Sequence, residues 1–273
     1  MRNSAALALA GLFLAGAATG QDRPAPRPAD WTALSRLPDW SGTWIPDVRD
    51  QNAQITGNPP PWRPEVAAQT ARLAAEEKAG KPKGLFVDCL PHGMPALMLK
   101  SHNPIEFLFT PGRVTLLGES DGNRLRRIYT DGRGHADDPI PSFFGDSVGR
   151  WEGDTLVVDT VGVLPQTYIA VSEAVGIPND GDLQVTERIR LAGPDLLEDQ
   201  LTITAPKVLS APWKTTRRFK RDRSAVAEIV EGVCLQGQFH ETTDRDGHAA
   251  FQPLDFLEGG APAPPPATEA PTR

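Results

Sequence analysis

The chain has 273 residues, of which 39% are hydrophobic and 23% charged, and its formal charge is −7. An acidic balance argues against nucleic acid and anionic membrane surfaces as partners, since both carry negative charge themselves. Two cysteines are too few sulfurs for a structural zinc site, and no glycine-rich phosphate loop occurs, so neither a metal nor a nucleotide cofactor is expected.

The N-terminus reads as an export signal. Arg2 precedes an uncharged Ala, Leu, Gly and Phe run from Ala5 to Ala18, about 14 residues against the roughly 20 that cross a bilayer. Ala18-Thr19-Gly20 places small residues at the positions a signal peptidase reads, with cleavage before Gln21. No cysteine follows the run, so no lipid or other stable membrane anchor is expected, and the mature protein is placed in the periplasm or outside the cell. Residues 21–30 are a Pro-rich linker, residues 31–257 one globular domain, and residues 258–273 a Pro/Ala-rich tail with nothing to bury.

Within the domain, Trp40 to Trp44 opens a short strand and residues 47–64 read as loop. Pro64 to Ala79 carries the one convincing helix pattern, with Pro at its start and the breaker Gly80-Lys81-Pro82 after it. Cys89 and Cys234, in an oxidising compartment, are a candidate disulfide. From Ile105 onward, short runs rich in Val, Ile, Leu and Thr alternate with turn signals. They are Ile105–Phe109, Val114–Glu119, Leu125–Thr130, Thr155–Val161, Leu183–Leu191, Leu197–Thr204, Lys214–Arg221 and Val226–Cys234. The pattern predicts a mainly β antiparallel meander that closes into a barrel, with a two-sheet sandwich as the alternative. The longer excursions 131–150 and 164–182 are expected to shape a binding mouth.

Period-two alternation assigns side chains to faces. It turns Glu187 inward with Val185 and Ile189, Asp159 inward between two valines, and Glu231 inward between Ile229 and Val233. Arg217 joins Trp213 and Phe219, and Arg127 joins Leu125 and Tyr129. Five ionisable residues on apolar faces must pair, meet water or lose their charge. Two readings stay open: a structural salt-bridge network, or a polar cavity for a ligand.

The densest stretch is Tyr129-Thr130-Asp131-Gly132-Arg133-Gly134-His135, followed by Trp151-Glu152-Gly153-Asp154-Thr155-Leu156-Val157-Val158-Asp159-Thr160. These segments resemble a widespread group of secreted bacterial proteins whose activity is uncharacterised. The likeness extends to Glu187-Arg188, Pro212-Trp213, Glu231 to Cys234, and Cys89-Leu90-Pro91. It implies an exported protein and brings no activity. The group often has a His-Ser pair just before the Glu-Arg strand, where this chain has Gly181-Asp182, so chemistry resting on that histidine does not carry over. Gly42-Thr43-Trp44 is similar to the lipocalin Gly-x-Trp signature, which implies a lipocalin-like barrel with the Trp plugging one end.

His135, close in sequence to Asp131, Arg133, Asp137 and Asp138, is the candidate acid or base, with Asp131 orienting it and Glu187 as a second carboxylate. Arg127, Arg133, Tyr129, Trp151, Asp159, Arg217 and Glu231 are the candidate binding residues. Ser147, in Gly145-Asp146-Ser147-Val148-Gly149, lacks the strand-then-helix context of a nucleophile elbow. Two functions follow: cofactor-independent acid/base catalysis on a small organic molecule, as a lyase, isomerase or hydrolase, or lipocalin-like binding of an apolar or aromatic ligand.

Overall fold

A computed structural model describes residues 25–81, 84–85, 90–100, 102–172, 174–224, 227–231, 239–243 and 249–253. The export segment 1–20, Cys89, Cys234 and the tail 258–273 lie outside the described residues.

The body is a closed barrel of nine strands: β1 (Thr43–Pro46), β2 (Ile105–Thr110), β3 (Arg113–Gly118), β4 (Arg124–Tyr129), β5 (Asp146–Glu152), β6 (Thr155–Val161), β9 (Gln184–Gly193), β10 (Leu196–Thr204) and β11 (Trp213–Arg221). Two short strands, β7 (Tyr168–Ala170) and β8 (Gly176–Pro178), form a separate hairpin, and β12 (Phe239–Thr243) pairs with β13 (Ala249–Pro253). Around the barrel, neighbours follow chain order, and β11 closes onto β1. An odd ring of alternating strands cannot close with every pair antiparallel; one junction must be parallel. That junction is β4–β5, where Ile128 faces Ser147 and Tyr129 faces Val148. The expected meander is therefore correct except at this step, and the expected excursion 131–150 contains a strand. The junction is short because only the end of β4 lies beside the start of β5, and residues 130–145 loop back over the outer wall to connect them.

The predicted helix is present as Pro64–Lys78, with Pro64 at its first turn and Gly80 following its end. Further helical segments precede and follow it: α1 (Pro28–Ala33) running into a 3-10 turn (Leu34–Arg36), α2 (Val48–Gly57) and, after the predicted helix α3, α4 (Ala96–Leu99) and α5 (Ser120–Asn123). α1 begins inside the span expected as linker. α2 lies in the span 47–64 that reads as loop for its Pro, Asn and Gly content, and its sequence has hardly any apolar stripe. It is held instead by polar contacts: Asp47 caps it by accepting from the Asp50 N–H at 3.1 Å, and Asp50 and Asp47 pair with Arg218 and Lys220 of β11.

Both ends of the barrel are filled. At the end where β2 turns into β3, Trp40 packs edge-on against Phe107, Phe109 and Trp151, with centroids 5.0–5.6 Å apart. Trp44 is fully buried, donates from Nε1 to the Trp40 carbonyl, and has the Arg221 guanidinium 4.5 Å over its ring. Towards the opposite end, residues 93–100 are all buried, and the Leu99 carbonyl reaches a side chain of the barrel interior. The hairpin β7–β8 packs against α4 and α3. The second excursion therefore covers this end and does not form an open mouth.

Candidate functional site

Among the described residues, three places bear on function. The first lies inside the barrel. Alternation turns Arg126 (β4), Ser147 (β5), Thr160 (β6), Glu187 (β9), Asp199 (β10) and Arg217 (β11) inward, and all six are at most 1% exposed. Arg126 grips Glu187 with both terminal nitrogens, at 2.8 Å for Nη1, and also donates to Ser147 and Thr160. Arg217 donates to the Leu99 carbonyl at 2.7 Å and to Thr215 Oγ1 at 2.7 Å. Burial pulls its pKa down to about 10, against the opposing pull of Asp199 and Asp50.

Asp199 differs from its neighbours. Neither of its carboxyl oxygens has a hydrogen-bond partner. Burial first, and the Glu187 carboxyl second, push its pKa well above the usual carboxylate range, despite Arg126 and Arg217. Glu187, beside it, is already committed to Arg126.

The second place is on the outside of the same wall. The loop after β4 lays His135 between Asp146 of β5 and Asp159 of β6, with Nδ1 3.0 Å from Asp146 and Nε2 3.1 Å from Asp159. Asp146 also accepts from the Ala136 N–H, and Asp159 from Gln184 and Thr186. The ring is about a quarter exposed, yet both nitrogens are occupied by carboxylates. This arrangement fastens the loop, and leaves no ring nitrogen turned towards a substrate. Gly145 lets the chain enter β5 here: its φ is +67°, and a Cβ would lie 2.5 Å from the Val161 carbonyl oxygen.

The third is a groove of about 810 Å³ between α1 and the rim of the barrel. Ala33, Leu34 and Leu37 form one bank, and Phe109, Val114 and Trp151 the other. The aromatic plug thus forms part of its floor.

The structure separates the residues expected to act together. Glu187 and Arg217 are inside, as predicted. Asp159 is a correction: it faces outward, because Val157 and Val158 are both buried and alternation through them cannot select a face. Arg127 is a second: it is exposed, while Arg126 beside it points in. Counting Leu125 and Tyr129 as the apolar face misled, since Leu125 is 41% exposed and Ile128 is the fully buried residue. Glu231 is a third: it is exposed, and residues 227–231 form no strand. β11 already pairs with β1, so the closed ring offers no edge to a further strand. Asp131 does not orient His135; it pairs with Arg133 at 2.7 Å, and that guanidinium stacks 3.8 Å over Tyr129. Trp151 lines the groove. Ser147 is buried on a strand and bonded to Thr160 and Arg126.

Arg126, Asp199 and Asp146 were missed. Asp199 was legible, since Leu197, Leu201 and Ile203 share its face. Asp146 was not, because its role depends on a loop folding back across the wall. Among the described residues no group of three or more His, Cys, Asp or Glu is arranged to hold a metal ion, and no helix is long and apolar enough to cross a membrane.

Comparison with protein-family models gives no match, and comparison with curated proteins gives none. The class that can be stated is architectural: a closed nine-stranded β-barrel with a charged layer inside and an aromatic-floored groove at one rim.

Proposed function

We propose that this is an exported small-molecule-binding barrel whose ligand sits in the groove under α1, not within the barrel. The observation that carries the reading is the groove itself. Its volume of about 810 Å³ falls in the range of small-ligand sites, and its lining mixes apolar and aromatic side chains with a few charged ones. The interior is a poorer candidate, because aromatic side chains fill one end, residues 93–100 are buried towards the other, and the charges between them are fully buried. Export rests on the N-terminal segment, with its short apolar run and small-residue cleavage site.

The acid/base-enzyme reading requires His135 and Glu187 to meet one substrate. They lie on opposite faces of the wall, and both ring nitrogens of His135 are engaged. The geometry therefore favours binding over catalysis. Titration of the mature protein with N-phenyl-1-naphthylamine, a neutral aromatic probe, tests the assignment. Saturable fluorescence enhancement is expected, and Ala33→Trp, which fills the groove from an exposed position, abolishes it. No saturable signal, or an unchanged one in A33W, rejects the groove as the binding site.

A further inference from the structure

The groove holds four charged side chains: Arg27, Asp30, Arg113 and Asp131. Three of them are committed. Arg27 and Asp30 hold each other across one turn at 3.2 Å, and Asp131 is taken by Arg133 from outside the groove at 2.7 Å. Arg113 is different. Its Nε is buried with no hydrogen-bond partner, and among the described residues no carboxylate lies within salt-bridge reach of its guanidinium. A cation left in this state beside an aromatic wall asks for an anion that the described residues do not supply.

Its position is also fixed in advance. Arg113 opens β3 directly after the turn that ends β2, and its backbone pairs with Thr110 on one side and Tyr129 on the other. The turn is tied down by the Thr130 N–H donating to the Gly112 carbonyl at 2.8 Å. Gly112 has φ +73°, and a Cβ there would meet Asp131 Cβ at 2.9 Å, so turn and wall are in close contact. Next to Arg113, Val114 is buried and pairs with Phe109, which touches Trp151 edge-on at 5.7 Å. Arg113 and the Phe109–Trp151 pair thus line one groove from the same rim.

Building on the groove as the binding site, we propose that its ligand class is small aromatic carboxylates, with the ring against Trp151 and Phe109 and the carboxylate on Arg113. Guanidinium and carboxylate match as planar, two-pronged partners. A monoanion suits the surroundings better than a phosphate dianion, because Arg113 is the one groove cation with no carboxylate partner among the described residues. The pair is partly open to solvent, so its contribution weakens as salt is raised.

The test compares 2-naphthoate with its neutral counterpart 2-naphthamide on the mature protein, by calorimetry. Naphthoate is expected to bind about tenfold more tightly at low salt, in the range a charge-assisted pair supplies. Arg113→Met, which keeps the alkyl stem, removes that preference and leaves naphthamide affinity nearly unchanged. Ala33→Trp, checked for folding by circular dichroism, loses both ligands. Equal affinity of the two ligands for the wild type, or a preference that survives R113M, overturns the carboxylate inference; the groove reading then stands if A33W still abolishes binding. Failure of both ligands to bind, or binding untouched by A33W, overturns both.

Discussion

The buried charged layer and the His135 cluster lie back to back where they share β5, β6 and β9. Asp146 and Ser147 on β5, Asp159 and Thr160 on β6, and Thr186 and Glu187 on β9 are consecutive pairs, and in each pair one member serves the outside and the other the inside. At this height the register aligns Ser147 with Thr160 and Asp159 with Thr186. The inner cluster is sealed from water and depends on each charge finding a partner; the outer one is partly solvated and tolerates imperfect pairing. Identical chemistry therefore carries very different energetic weight on the two faces of one wall.

The sharpest way to test that contrast is to break one pair on each side. Arg126→Met strips Glu187 of both its hydrogen bonds within the core and should cost about 3–5 kcal/mol, the range for breaking a buried ion pair by removing one partner. Urea unfolding measures it, and a loss under about 1 kcal/mol would mean the inner layer is not held by this pair. On the outside, His135→Ala removes two partly exposed contacts and should cost only about 1 kcal/mol. Its main effect is expected as faster hydrogen exchange at the amides of residues 131–145. A loss equal to that of R126M would erase the distinction between the faces.

The smallest effect is expected at Asp199, and its sign is informative. Burial and Glu187 raise its pKa in the folded state, so the native protein keeps a proton that the unfolded chain releases near the usual aspartate value. Over the window from that value up to the folded one, the native state binds more protons, and this group makes stability fall as pH rises. Asp199→Asn mimics the protonated form and removes the slope. The variant should gain on the wild type as pH rises above the usual aspartate value in urea titrations, whereas a gap that widens towards acid would show that Asp199 is ionised in the fold.

The sequence was most readable where a strand has one wet and one dry face. On β9 and β11 apolar residues alternate cleanly, so Glu187 and Arg217 could be turned inward before any fold was known. On β6 the run Leu156-Val157-Val158 is buried on both faces, and on β4 Leu125 is an exposed apolar residue, so the same rule put Asp159 and Arg127 on the wrong side. α2 was invisible because ion pairs to β11 hold it, and such pairs leave no periodic trace along the chain.

The sequence by itself determined that the domain is mainly β, that its strands follow one another round a closing sheet, that the Ala-rich segment from Pro64 is a helix, and that charges enter the barrel. These follow from local propensity, turn chemistry and a two-residue period, all of which are short-range. Only the tertiary structure decided which charges meet. The single parallel junction demanded by nine strands sends residues 130–145 back across the outer wall. It is this return that sets His135 between Asp146 and Asp159 and away from Glu187. The groove likewise depends on α1 lying over a rim formed by three other segments of chain, a juxtaposition that no local pattern encodes.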